Sequence, residues 1–396
     1  MAFRLRMATS SARMARPKLG GKLRQSRIAL VVGTRPEAIK LSPVAKALAD
    51  IGEPPRLYVT GQHPGLELAD HGLAGYDAKP LHCPGQPDPL LHAELVRGAL
   101  KRLLPMAPPQ LLLVQGDTSS ALGGALAARD TCVRLAHVEA GLRSHDPRQP
   151  WPEEENRVAI DRLSDLLFAP TDGNASNLWN EKLGGEIFVT GNSGIDALAT
   201  IAGTLPVKPR RRWLPRRGLR LLVTCHRREN WDDGLDHLAD ALTMLAADGV
   251  TSDVVLPPNP TVTAAMVRLL GGHRMIRLVA PMSHPAMIEA MRSADLILSD
   301  SGGMQEEAPA LGIPLLVLRE KTERPEGVAC GSMELVGTDS GRIVAAVKRL
   351  RRDPAALRAM ARPAFPFGDG HAAPRIAARC IRFIDAEAAT RQSALA

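Results

Sequence analysis

A carboxylate stands alone at the end of an apolar run in this chain. Val133 to Val138 reads as a buried strand, and Glu139 follows it directly. Next comes a polar loop with Arg143, His145, Asp146 and Arg148, then Pro152 and three successive glutamates, Glu153 to Glu155. Proline, acids and a following apolar set (Val158, Ile160, Leu163, Leu167) form a helix-start signature. For Glu154 and Glu155 the preferred reading is that they complement the helix dipole. Glu139 has no helix start to serve. A carboxylate at the C-terminal end of a strand in an open parallel sheet lies where ligands bind. Asp117, in Gln115-Gly116-Asp117-Thr118, ends another apolar run in the same half. Asp117, Glu139 and Glu153 or Glu154 therefore suit general acid and base work. The arginines and histidines around them favour that over metal binding. Glu153, at a helix start, is expected to have a lowered pKa, which favours a base.

Two glycine junctions could receive an anion. Gly33-Thr34-Arg35-Pro36 sets backbone N–H groups and a guanidinium at a helix start, with Lys40 one to two turns on. Thr34 and Glu37 have capping-box spacing. Asp300-Ser301-Gly302-Gly303 is the second junction, and its N–H groups suit an anion nest. Glu307, near the first turn after it, suits ribose hydroxyls rather than phosphate. His226, with Arg227 and Arg228, ends a strand in the second half and offers positive charge. One phosphate-type junction in each half points to a nucleoside diphosphate. Neither is a dinucleotide fingerprint or a Walker A loop.

The elements that must hold these residues follow one rhythm: strand, turn, helix. Strands are expected at 28–32, 57–60, 111–115, 133–138, 166–169 and 187–189, then at 219–225, 254–256, 275–279, 296–299 and 314–318. Short apolar strands alternating with helices mean parallel, doubly wound sheets. The stretch 201–218, rich in proline and arginine, breaks the rhythm and reads as the linker. The expected organisation is α/β: two Rossmann-like parallel-sheet domains, 28–200 and 219–371, facing a cleft. The tail 372–396 reads as helical.

Length and composition bound the answer. The chain has 396 residues, which favours two domains. Aromatics are only 3%, so base-stacking platforms are improbable. Residues 1–27 hold Arg4, Arg6, Arg13, Arg16, Lys18, Lys22, Arg24 and Arg27 and no acid, which is the whole formal net charge of +8. The rest offers no net basic footprint for nucleic acid. The basic segment is expected to be a disordered extension. No apolar run reaches membrane-spanning length. Cys83, Cys132, Cys225, Cys330 and Cys380 are scattered without a CxxC pair, which fits reduced cytoplasmic thiols and argues against zinc.

GTRPEAIKLSP, TGQH, QGDT, HVEAGLRS, PWPEEENR, TGNSGIDAL, TCHRREN, SDSGGMQEEAPALGIP and TERPEGV, in this order, make the chain similar to the non-hydrolysing UDP-N-acetylglucosamine 2-epimerase family. The resemblance implies a GT-B fold, a homodimer, no metal and no nicotinamide cofactor. It implies reversible conversion of UDP-GlcNAc to UDP-ManNAc, by anti elimination of UDP to 2-acetamidoglucal and syn re-addition. It implies that the last helix returns to the first domain. By motif, Asp117, Glu139 and Glu153 match the acid/base carboxylates and His226 the histidine near the diphosphate. Arg35, Lys40, Arg143, Ser301, Gly302, Gly303, Glu307 and Arg324 are the expected substrate contacts. Gln62, His63 and Arg228 belong to the region linked to allosteric substrate binding. There the chain departs from the pattern, with Pro257 where the family usually has histidine. Met287 stands where phenylalanine is common near the uracil. The competing functions are a GT-B glycosyltransferase, a hydrolysing epimerase and a non-catalytic sugar-nucleotide sensor. The sensor would have lost the carboxylates.

Overall fold

The first strand shows how the chain is layered. In the computed structural model, which describes residues 26–205, 218–227, 230–231 and 233–395, β1 (Ile28–Val32) is buried along its whole length. Its alternate residues serve two cores. Ile28, Leu30 and Val32 face one helical layer, and Ala29 and Val31 face the other. A strand covered on both faces must be apolar throughout.

The first domain continues through α1 (Arg35–Asp50), β2 (Arg56–Val59), β3 (Asp77–Pro80), α2 (Pro89–Leu103), β4 (Leu111–Gln115), α3 (Ser119–Asp130), β5 (Arg134–Val138), α4 (Glu153–Leu163), β6 (Leu166–Ala169), α5 (Asp172–Asn180), β7 (Glu186–Val189) and α6 (Ser193–Thr204). Its seven parallel strands run β3-β2-β1-β4-β5-β6-β7. Next come β8 (Arg220–Thr224), α7 (Asp233–Ala247), β9 (Thr251–Val255), α8 (Pro260–Leu270), β10 (Ile276–Val279), α9 (His284–Ser293), β11 (Leu296–Ser299), α10 (Gly302–Leu311), β12 (Leu315–Val317), α11 (Pro325–Ala329) and β13 (Met333–Leu335). Helices α12 (Ser340–Arg352), α13 (Pro354–Met360) and α14 (Ala372–Leu395) end the chain. The second sheet is also parallel, in the order β10-β9-β8-β11-β12-β13.

Strand order reverses between β1 and β4 and again between β8 and β11. Crevices at such points, at the carboxyl ends of the strands, receive ligands. Gly33 and Asp117 follow the first pair, and His226 and Asp300 follow the second.

The start of α1 is capped on both sides. Thr34 Oγ1 accepts from Glu37 N at 3.4 Å, and the Glu37 carboxylate accepts from Thr34 N at 2.6 Å. Thr34→Ala should lower stability by about 1 kcal/mol, the usual cost of a lost N-cap, read by equilibrium urea unfolding.

Helix α6 runs to Thr204, so helix occupies the beginning of the stretch read as linker. Residues 206–217, and most of the basic segment 1–27, lie outside the described residues. Helix α14 packs through Ala373, Ile376, Ala377 and Cys380 into the core of the first domain that also holds Leu41, Val44 and Ala45 of α1. Asp196 on α6 fastens its first turn, accepting from Ala372 N at 3.1 Å and Ala373 N at 2.8 Å. The two domains meet through an apolar patch of Ile195 and Leu198 on α6, Ile288 on α9, and Phe367. Among the described residues no helix is long and apolar enough to cross a membrane.

Candidate active site

Glu139 is held in an uncommon backbone shape. It follows β5 with φ of 74°, and only 6% of it is exposed. A glutamate in the left-handed region is strained, and such strain gathers at functional sites. Its N–H donates to Phe168 O at the end of β6. Gly141, two residues on, has φ of 82°, and a Cβ there would stand 2.3 Å from Asn174 O. Glycine is required at that point.

Around Glu139 lies an ion cluster built from both domains. Lys40 Nζ of α1 bonds Glu139 Oε1 and reaches Glu306 Oε2 on α10 at 3.0 Å. Arg324, just before α11, donates from Nε to Glu306 Oε1 at 2.7 Å and stands 3.5 Å from Glu139. Gln115 also donates to Glu139, as does Asn192 at 3.2 Å. Burial pushes Glu139 up to about 7, against the pull of Lys40 and with a further push from Glu306. For Glu306 burial acts upward too, but Lys40 and Arg324 prevail and hold it near about 2. Arg324 also bonds Glu323, which pairs with Arg319 at 2.8 Å.

A second carboxylate group adjoins the first. Asp117, after β4, takes Arg157 Nε at 3.1 Å. Glu153 opens α4, with Arg227 3.7 Å from Oε1. Arg227 in turn is 3.9 Å from Glu323, which closes the chain of charges back to Arg324. Glu153 Oε2 is buried without a hydrogen-bond partner among the described residues. Burial, and then the charge of Asp117, raise the pKa of Glu153. That reverses the lowering expected at a helix start: loss of water outweighs the helix dipole. Glu154 also differs from its expected dipole role. It is buried, accepts from Ser144 N and His145 N at 3.0 Å, and pairs with Arg157 at 2.8 Å. It fastens the loop that leads from Glu139 to α4. Glu155 is exposed.

The anion junctions behave differently from each other. At the first, Gly33 N and Thr34 N both donate to the Glu37 carboxylate, at 2.8 and 2.6 Å. The N–H groups of Gly33 and Thr34 expected to form a nest are thus taken by the chain's own acid. At the second, the first-turn N–H groups of α10 have no acceptor within the helix. Ser301 N itself donates to Ser299 Oγ at 2.9 Å, so the nest begins at Gly302. Arg324 lies flat against Gly302, where a Cβ would come 3.0 Å from the guanidinium carbon. His226 turns Nδ1 to the buried Asp300 at 3.1 Å, and Asp300 also takes the N–H groups of His226 and Arg227.

Other expected contacts are placed as follows. Arg143 is buried and paired with Asp161 at 2.8 Å and Glu181 at 2.6 Å. Glu307 Oε1 accepts from His284 Nε2 at 2.6 Å. Gln62 takes the Ser120 hydroxyl at 2.6 Å, and His63 N donates to Gly33 O. Burial and the nearby Arg35 lower the pKa of His63, which puts both beside the α1 start. Pro257 is buried, and Met287 packs against the core under β11 and β12. Arg228 lies outside the described residues. Sequence reasoning missed Arg157, Glu306 and Glu323. A pocket of about 450 Å³ beside the crevice, lined by Thr171, Gly191, Glu326, Phe365 and Arg375, contains neither carboxylate group.

Acids of one domain thus meet cations of the other between two switch points. The fold is a two-domain α/β enzyme fold of GT-B architecture, with paired acids and cations in the crevice between the domains. The family model for UDP-N-acetylglucosamine 2-epimerase matches residues 49–380. The UDP-N-acetylglucosamine 2-epimerase of Salmonella typhimurium is 40% identical over 88% of this chain and 97% of its own. The crystal structure of UDP-GlcNAc 2-epimerase from Neisseria meningitidis bound to UDP-GlcNAc aligns with a TM-score of 0.83 at 33% identity, covering 90% of this chain and 99% of that one. The Methanocaldococcus jannaschii UDP-GlcNAc 2-epimerase, in complex with UDP-GlcNAc and UDP, aligns with a TM-score of 0.77 at 30% identity, covering 90% and 99%. The chain belongs to the UDP-N-acetylglucosamine 2-epimerase family.

Proposed function

We propose that this enzyme interconverts UDP-GlcNAc and UDP-ManNAc by eliminating UDP and adding it back. One observation carries the reading: Glu139 and Glu153, both with raised pKa, share a crevice with cations from the other domain. The C2 proton of the sugar is barely acidic, and carboxylates are weak bases. Breaking the C1–O bond first gives the ring oxocarbenium character and acidifies C2–H. That step needs the departing diphosphate stabilised, by Arg35, His226 and the N–H groups opening α10. A carboxylate then takes the C2 proton in an anti elimination, leaving 2-acetamidoglucal and UDP. Syn re-addition of UDP, with a proton delivered to the opposite face of C2, gives the epimer. Two faces require two acid/base groups. Burial that raises both carboxyls above their ordinary range suits groups that must both give and take a proton.

A glycosyltransferase of the same fold would hand the sugar to an acceptor and has no need of this carboxylate set. A hydrolysing epimerase would release free N-acetylmannosamine. Incubation with UDP-GlcNAc alone in D2O separates the three. The expected result is deuterium at C2 and accumulating UDP-ManNAc, followed by proton NMR. Unlabelled substrate would end the epimerase reading, and steadily accumulating free sugar would select hydrolysis.

A further inference from the structure

The crevice holds a carboxylate pair that spans the domain boundary. Glu139 comes from the first domain and Glu306 from the second, and both are buried. They share two cations. Lys40 bonds both, and Arg324 stands 2.7 Å from Glu306 and 3.5 Å from Glu139. The groups facing the pair are Lys40 from α1, Arg324 and its partner Glu323 from the segment before α11, Gln115 from β4, and Asn192 from the cap of α6. Two carboxylates this close resist carrying charge together, so one tends to keep a proton. The contacts decide which. Glu306 has Arg324 on one side and Lys40 on the other, whereas two of the partners of Glu139 are neutral amides. The directions of the two pKa values agree: Glu139 is pushed up and Glu306 is held down.

We propose that Glu306 is a positioning residue for proton transfer at C2: reaching from the second domain to the two cations that Glu139 also uses, it favours the protonated form of Glu139 and so poises that carboxyl to return a proton to C2 as well as to take one. The proposal rests on the epimerase reading above. The proton comes from solvent. Lys40 and Arg324 keep their charge throughout. The like-charged neighbour thus lets the second domain set the acid/base state of Glu139.

Glu306→Gln keeps the size and hydrogen-bonding capacity of the side chain and removes its charge. The limb of the kcat–pH profile for C2 exchange that Glu139 governs should move down by roughly one to two pH units, the usual effect of a close like charge. KM for UDP-GlcNAc should change little. Glu306→Asp restores the charge and should bring the limb back toward the wild-type position. A uniform loss of kcat with the limb unmoved in both variants would overturn the proposal. A second measurement needs no turnover. Infrared titration of the protonated carboxyl band, assigned by its disappearance in Glu139→Gln, should show that band titrating near pH 7 in the wild type. In Glu306→Gln it should titrate lower. A band with the same midpoint in both proteins would also overturn the proposal, whatever the activity. A shifted band in an enzyme that never labels C2 would remove the epimerase reading and leave the carboxylate pairing standing.

Discussion

Glu139→Gln should abolish detectable exchange of the C2 proton and lower epimerisation by on the order of 100- to 10,000-fold, the usual contribution of a positioned acid or base. The substitution is close to isosteric. Gln115 bonds one carboxylate oxygen and Asn192 the other, so the single amide oxygen can keep one of these donors, and Lys40 still has Glu306 at 3.0 Å. The variant should therefore fold and bind UDP nearly as the wild type does, because the proposed nucleotide contacts, Arg35, His226 and the start of α10, are untouched. What it loses is a group able to carry the proton. Proton NMR in D2O reads the exchange, and calorimetric titration with UDP reads the binding. Exchange at the wild-type rate would remove Glu139 from the mechanism.

The second large effect concerns stability. Arg324 is 5% exposed and is the shared partner of Glu306, Glu323 and Glu139. Arg324→Met fills a similar volume but leaves the buried carboxylates with Lys40, Arg319 and the more distant Arg227 to balance them. Stranding a buried charge costs roughly 3–5 kcal/mol. Urea unfolding at pH 7 should show a loss of that order, together with weaker UDP binding. Glu306 and Glu323 are held below the ordinary value of 4.5 in the folded protein. Their stabilisation is therefore fully present above that value and fades as pH falls through the folded values. Without Arg324 both should protonate more readily, so the gap between variant and wild type should narrow as pH falls from 7 toward 4.5. Wild-type stability for the variant at pH 7 would contradict this account of the cluster.

Most of the sheet architecture was readable because its strands are short apolar runs closed by glycine or a polar turn. Two strands carried no such mark. β3, Asp77–Pro80, pairs with β2 alone at the sheet edge and has no apolar run. β13, Met333–Leu335, has three residues. Edge and very short strands need less burial, so composition does not announce them. The site was readable as far as strand ends could be located. Asp117, Glu139, His226 and Asp300 all follow strands. Side-chain commitments were not readable. Glu37 fills the first backbone nest, Glu154 ties down a loop, and Arg143 pairs internally, while Arg157 takes Asp117. Glu306 and Glu307 are neighbours in sequence, but about 100° of helical rotation separates them. One enters the ion cluster and the other meets His284. The raised pKa of Glu153 depends on burial contributed by distant segments, which a local helix-start signal does not register.

The claim beneath all of this is that the sugar and its nucleotide part before the C2 configuration changes. UDP-GlcNAc carrying oxygen-18 between C1 and the β-phosphorus tests it directly in D2O. Once C1–O breaks, that oxygen becomes one of several equivalent terminal oxygens of UDP. The account predicts that molecules recovered with deuterium at C2 show the label spread into non-bridging positions. Deuterium at C2 with the label wholly retained in the bridge would contradict it.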